Sequence, residues 1–268
     1  MSATSQSEAR HALDRILPDE LRGTYPNMPL RLRSLHARSR LQDRDGAEPE
    51  VHFVLRGWIG TRAVIGPRLH PLCHLSIRGD CLGLGQLSSP GGTAVQQDEP
   101  RIAGFQTHTV LTAANIVSVP TATLHMLIER HEGWRMFILS EMARRLRTQR
   151  LMHAVTGSMV APDRVIHFVH LMACRHRAAA GELGGDAAAY RSSTLPMPLT
   201  QGEIGELLGL TNVSVNRALR TLEGKEMLKT SRDSVTLLRE SAWVPELEYD
   251  LPPAEIGRIY GRMISEFN

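Results

Sequence analysis

The chain has 268 residues, 42% of them hydrophobic and 22% charged, with a formal net charge of +3. This length accommodates two ordinary domains, each with its own core, and the composition excludes a disordered or fibrous chain. No apolar run approaches the roughly 20 residues of a membrane span, and the opening MSATSQSEAR lacks the basic and apolar regions of a secretory signal, so a cytoplasmic protein with no membrane partner is expected.

The first fifty residues are rich in arginine, and LRLRSLHARSRLQ reads as a short helix. From about Val51 to Pro120 short apolar pieces alternate with turn formers. VHFVLRGWIGTRAVI predicts two strands bent at Gly57, CHLSI precedes an RGD turn, and ANIVSVP ends on a proline that cannot continue a ladder. Several such strands predict a small β-barrel or sandwich. SSPGGTAVQQDEP is a surface loop by its proline, glycine and serine content.

From about Thr121 to Gly157 the period becomes helical. Leu139, Met142, Leu146, Gln149 and His153 recur at alternating steps of three and four, the spacing of a narrow seam between two helices, and they predict a homodimer contact. The same spacing would serve a helix packed on its own domain. Arg144, Arg145, Arg147 and Arg150 leave the opposite face wet on either reading. APDRVIHFVHLMACRHR predicts another helix, with Pro162 in its first turn and Val165, Val169 and Met172 on one side. AAAGELGGDAAAYRSSTLPMP reads as a loop or linker. At the far end, Ile256, Ile259, Tyr260, Met263, Ile264 and Phe267 share one face of a helix predicted to begin after Pro252 and Pro253.

Between linker and tail lies TQGEIGELLGLTNVSVNRALRTLE. Thr200 and Glu203 have the spacing of a capping box, in which each side chain satisfies a backbone N–H of the other. Ile204, Leu207 and Leu208 form the buried side of a first helix, and Gly209 stands where left-handed dihedrals end it. Thr211 can cap a second helix that buries Val215, Leu219 and Leu222. Asn212, Ser214, Asn216, Arg217 and Arg220 then point elsewhere. Amide and guanidinium groups on an exposed helix suit a DNA major groove: arginine pairs with guanine O6 and N7, asparagine with the adenine edge. EMLKTSRDSVTLL predicts a hairpin around an Arg232–Asp233–Ser234 turn. The basic charge of the chain is nearly all arginine, and its only lysines, Lys225 and Lys229, fall here. With Arg232 they could hold the DNA backbone. Two packed helices with a merely solvated face are the plainer alternative. The capping box, glycine turn, hairpin and clustered basic residues together favour DNA.

Domain order and residues resemble the Crp/Fnr superfamily of bacterial transcription regulators. The match runs from about Val51 to Leu238. It is strongest in LTQGEIGELLGLTNVSVNRALRTLE, whose VNRALRTL is similar to the recognition helix of the alphaproteobacterial branch; FVLRGWIG and RGDCLGLGQL are similar to its barrel strands and Gly–Asp turn. The resemblance implies an α+β chain in four parts: a sensor domain with a cyclic-nucleotide-binding-like β-barrel (jelly roll) over 1–128, a dimerisation helix over 129–159, a winged helix-turn-helix over 160–240, and a C-terminal extension over 241–268. It implies a homodimer on a palindromic double-stranded DNA site and contact with RNA polymerase. By position, Asn212, Val213, Ser214, Asn216 and Arg217 would face the groove, and Thr200, Thr211, Arg220, Lys229 and Arg232 complete the expected DNA-binding set. Asn212 and Val213 depart from the arginine and glutamate of cyclic-AMP-responsive members, so their target sequence is not carried over.

The effector is the open question. Nucleotide-binding members hold the ribose with a glutamate and the cyclic phosphate with an arginine. In this chain Gly83, Leu84, Gly85 and Gln86 occupy the first segment, with Leu84 in the glutamate's place, and Arg101 lies near the second. Cyclic AMP dependence is therefore not expected, although a cyclic-nucleotide-responsive regulator stays an alternative. The oxygen-sensing branch needs clustered N-terminal cysteines, and the first fifty residues contain none. Haem, metal or thiol sensing rests on HPLCH, with His70, Cys73 and His74, on HFVHLMACRH, with His167, His170 and Cys174, and on Cys81. Half-buried histidines and ordinary core cysteines explain the same residues, and no cofactor is expected. No nucleophile elbow, phosphate loop or zinc-hydrolase helix is present, so an enzyme is not expected either.

Overall fold

The computed structural model describes residues 3–25, 28–41, 48–65, 69–88, 106–180 and 193–238. The chain divides into two units, Met1–Met142 and Ala143–Asn268. The first begins with α1 (Ala3–Asp14) and a 3-10 turn at Asp19–Leu21. Eight strands follow: β1 (Arg31–Leu35), β2 (Arg40–Leu41), β3 (Glu50–Arg56), β4 (Ile59–Ala63), β5 (Leu72–Ser76), β6 (Cys81–Leu82), β7 (Gln106–Val110) and β8 (Ala114–Pro120). Then come α2 (Thr121–Arg130) and the start of α3 (Glu132–Ser158). The strands form two antiparallel sheets in the orders β1-β8-β3-β6 and β2-β7-β4-β5. That interleaving is a jelly roll. Among the described residues the two sheets share no hydrogen-bonded edge, so the expected barrel takes the form of facing sheets.

Strand alternation gives this unit two cores. Side chains on one face of β3 and β8, Val51, Phe53, Val117 and Val119, pack with Leu13, Leu21, Tyr25, Leu124 and Trp134. Those on the other face, Val54 and Ile116, pack with Leu41, Ile59 and Val110 of the second sheet. Being covered on both sides, β3 is buried from Glu50 to Val54 without a polar-out alternation. Trp134 is fully buried, donates from Nε1 to Thr24 Oγ1 at 2.8 Å, and meets the rings of Tyr25, Phe53 and Phe137 with centroids 5.7–6.5 Å away. The N-terminal residues are thus part of the core.

The bend between β3 and β4, where the chain passes from one sheet to the other, turns at Gly57, at φ 93°, where a Cβ would stand 2.6 Å from the Ala113 carbonyl oxygen. The RGD turn is closed by Asp80, whose carboxylate accepts the Ile77 N–H at 2.6 Å. LRLRSLHARSRLQ is not a helix: it forms β1 and β2. Arg31, Arg33 and Leu35 are half-buried while Leu32 is more exposed, the reverse of the usual polarity. The inward arginines find the buried carboxylate of Glu50. Arg31 Nε donates to Glu50 Oε1 at 3.1 Å, and Arg33 Nη1 lies 3.9 Å from Oε2. Inward charge on an edge strand also discourages pairing with another chain.

The second unit holds the rest of α3 and then α4 (Ala161–Ala180), β9 (Ser193–Pro196), α5 (Gln201–Leu208), α6 (Asn212–Gly224), β10 (Leu228–Thr230) and β11 (Ser234–Leu237). The segment read as linker therefore ends in a strand, and the sheet order is β10-β11-β9. Helix α4 buries Val165, Val169 and Met172 as expected, and also Ile166, Phe168 and Leu171. The tail with its apolar stripe lies outside the described residues, as does Arg101.

Replacing Glu50 with alanine would strand two inward arginines. Since Arg31 and Arg33 are about a third exposed, water relieves part of the cost. A loss of about 1–3 kcal/mol is expected, below the range for fully buried pairs. Urea unfolding followed by tryptophan fluorescence measures it.

Candidate nucleic-acid interface

The interface is assembled from α5, α6 and the wing. Thr200, in extended conformation, accepts the Glu203 N–H at Oγ1 (3.1 Å), while Glu203 Oε2 accepts the Thr200 N–H at 2.8 Å. The capping box is complete, and Glu203 is buried only because its charge is bonded in this way. At its far end α5 stops on Gly209, at φ 63° and ψ 39°. Arg164 ties this end to the start of α4, donating from Nη1 to Leu208 O at 3.2 Å and from Nε to Met159 O at 2.7 Å.

The turn closes tightly. The Leu210 N–H donates to Gly205 O at 2.9 Å, and the Leu210 carbonyl oxygen lies where a Cβ on residue 205 would stand. Thr211 then caps α6 by accepting the Ser214 N–H at 3.1 Å. Val215, Ala218 and Leu222 are buried, with Leu219 half-buried, on the side that packs against α4 and α5.

What remains is the opposite face. Asn212, Val213, Arg217 and Arg220 are exposed, Val213 at 69%, an unusual value for a large aliphatic side chain. Ser214 and Asn216 are half-buried and locally engaged. Ser214 Oγ lies 2.9 Å from Thr211 Oγ1, and Asn216 Nδ2 donates to Gln201 Oε1 at 3.2 Å. The wing is fastened to the last turn of α6 by Glu223, whose Oε1 accepts from Thr230 N at 2.9 Å and Thr230 Oγ1 at 2.5 Å. Those bonds hold the Glu223 carboxyl below its ordinary pKa. Lys229 on β10 and Arg232 in the turn are exposed, as is Lys225. None of Arg217, Arg220, Lys225, Lys229 and Arg232 forms an ion pair among the described residues. Spacing located the caps and Gly209. It did not reveal Gly205, which a small-residue search of the first helix would have flagged, nor Gln201.

The other candidates fall elsewhere. Leu84 is 3% exposed and belongs to the core that contains Phe53 and Trp134. Gly83 is at φ 81°, Gly85 is exposed and Gln86 is half-buried. Cys81 is fully buried in the same core, out of reach of an oxidant. Cys73 donates to Thr61 O at 3.3 Å, and burial raises its thiol pKa, which disfavours the reactive thiolate. His74 and His108 flank Thr61 across the second sheet, while His167, His170 and Cys174 lie on α4. Among the described residues no group of three His, Cys, Asp or Glu is placed to hold a metal. Along α3, Leu139 (53%), Met142 (39%) and Leu146 (47%) are exposed with Gln149 and His153, and Met136 (54%) extends the stripe.

A methyl at residue 205 would force the turn open. Gly205→Ala is expected to destabilise the second unit by about 1–3 kcal/mol, the usual cost of overpacking. Thermal unfolding followed by circular dichroism, beside an exposed control such as Gly224→Ala, reads the difference.

Comparison with known proteins agrees with this geometry. Residues 163–242 match the model of the Crp-like helix-turn-helix domain. A comparison with curated proteins found no match. Solved structures of similar fold include FixK2 from Bradyrhizobium japonicum, with TM-score 0.60, 18% identity, and coverage of 79% of this chain and 93% of that one. The c-di-GMP responsive global regulator CLP from Xanthomonas campestris has TM-score 0.54, 14% identity, and coverage of 86% and 99%. A transcriptional regulator of the Crp/Fnr family from Eubacterium rectale has TM-score 0.52, 14% identity, and coverage of 87% and 95%. The chain thus carries a Crp-like helix-turn-helix domain over residues 163–242, and its fold is similar to that of FixK2 and of the Crp/Fnr-family regulator from Eubacterium rectale.

Proposed function

We propose that the protein is a cytoplasmic, homodimeric transcription regulator that reads a palindromic promoter site with α6. The observation that carries this reading is the face of α6 left over after packing. Asn212, Val213, Arg217 and Arg220 stand in solvent beside a basic wing, within a matched helix-turn-helix domain. Arg217 is the residue for a guanine edge, since a guanidinium can donate to O6 and N7 together. Lys229 and Arg232 hold phosphates and set register without reading sequence. Two such units on successive major grooves require a twofold partner. The exposed stripe Met136, Leu139, Met142 and Leu146 on the 27-residue α3 supplies an apolar seam for a second copy. Contact with RNA polymerase follows from the family resemblance.

The sensor half is proposed not to depend on cyclic AMP. Leu84, where a ribose-binding carboxylate would be expected, is buried in the core and offers no acceptor. A small-molecule effector is left unassigned.

Selection of genomic fragments by the purified protein tests the main claim, and one palindromic motif should emerge. Arg217→Ala should abolish preference for that motif while leaving a folded dimer. Lys229→Ala should weaken binding equally on all sequences and make the salt slope shallower by roughly one unit. Undiminished preference in the first variant, or a sequence-selective loss in the second, contradicts these roles. Leu146→Glu should give monomers in sedimentation; an unchanged dimer would move the interface off α3.

A further inference from the structure

The residues that read DNA are commonly sought on the second helix alone. Here the first residue of α5 reaches across to it. Asn216 Nδ2 donates to Gln201 Oε1 at 3.2 Å, and both side chains are half-buried. This bond fixes more than the position of Asn216. A carboxamide has an acceptor on one side and a donor on the other, and an adenine edge requires them in one order: the oxygen accepts from N6–H while the nitrogen donates to N7. Rotated by half a turn, the same side chain meets donor with donor and acceptor with acceptor. When a phosphate accepts from its Nε2, Gln201 keeps Oε1 toward Asn216 and, by accepting one N–H of Nδ2, selects one of these two rotations. Asn216 Oδ1 has no hydrogen-bond partner among the described residues, and the second N–H of Nδ2 is left to donate. The Gln201 amide nitrogen likewise has no partner among the described residues. Its two N–H groups can meet a phosphate oxygen beside the start of α5, where a neutral donor sets register.

We propose that Gln201 is a positioning residue for DNA recognition. It orients the Asn216 carboxamide toward an adenine and anchors that arrangement to the backbone phosphate. This inference rests on the DNA-reading function proposed above. It assigns a base-specific consequence to a residue outside the recognition helix.

The test selects binding sites from a randomised duplex library with the full-length wild type and with Gln201→Ala, Asn216→Ala, the double variant and Gln201→Glu. In wild type one position of each half-site should be an adenine, and Asn216→Ala should lose the preference there by about five- to 150-fold, the worth of one bidentate base contact. Gln201→Ala should lose preference at that same position, and the double variant should be no worse there than Asn216→Ala. Gln201→Glu retains an oxygen for Asn216, so it should keep the adenine while binding every sequence more weakly, because its charge repels the phosphate. The salt slope of Gln201→Ala should equal that of wild type, since an amide displaces no counterion. Melting curves matching wild type establish that the variants are folded. The proposal is overturned if Gln201→Ala returns the wild-type motif, if the two single losses add, or if Gln201→Glu loses the adenine as Gln201→Ala does. In each of those cases DNA reading by α6 stands. Failure of the wild type itself to select any motif would overturn both.

Discussion

The close approach of α5 to its own turn, at Gly205, governs what the second unit can present. With no Cβ at 205, the Leu210 carbonyl settles against the helix, Gly209 takes left-handed dihedrals, and the chain re-enters a helix at Thr211. That path sets how α6 leaves the turn. Once the direction is set, helical periodicity does the rest. Val215, Ala218 and Leu222 face inward, so Val213, Arg217 and Arg220 cannot. The exposed face is thus a consequence of core packing together with one missing side chain.

Polar satisfaction explains why this arrangement is a single structure and not one of several. A helix start leaves backbone N–H groups without partners, and both helices begin in a short turn where such groups would be costly to leave unmet. Thr200 with Glu203, and Thr211 with Ser214, meet them from within a single turn of chain. Arg164 and Glu223 act at the opposite ends, one accepted by a terminal carbonyl of α5 and the other fastening the wing to α6. Charges that remain, Arg217, Lys229 and Arg232, form no ion pair among the described residues. Such cations, set on one side of a matched helix-turn-helix domain, are what an anionic partner would use.

The jelly roll follows a different logic, with two cores divided by one sheet. Helices cover one face with aliphatic and aromatic side chains, and the other face is the space between sheets. That inner space grows more polar away from the β3–β4 turn. His52 pairs with Ser118 at 2.9 Å, Thr61 lies 3.1 Å from His108, and Arg31 and Arg33 converge on Glu50. Leu84 joins the helix-covered core rather than the polar space.

The sequence by itself determined what depends on neighbours within one or two turns of chain. The capping box at Thr200 and Glu203, the left-handed Gly209 and the Thr211 cap are all set by groups at most a few residues apart. Such local bonds form the same way wherever the segment lies. Only the tertiary structure decided matters that depend on distant segments. LRLRSLHARSRLQ reads as a helix because what makes β1 a strand is remote: β8 supplies its ladder, and Glu50, 17 to 19 residues on, receives Arg31 and Arg33. Ser193–Pro196 has no strand signature until β11 supplies the ladder. Asn216 looked like an ordinary groove-facing amide until Gln201, fifteen residues earlier, proved to hold it. Spacing along the chain encodes period and caps; which remote groups meet is settled by packing, where loop closure and burial outweigh local preference.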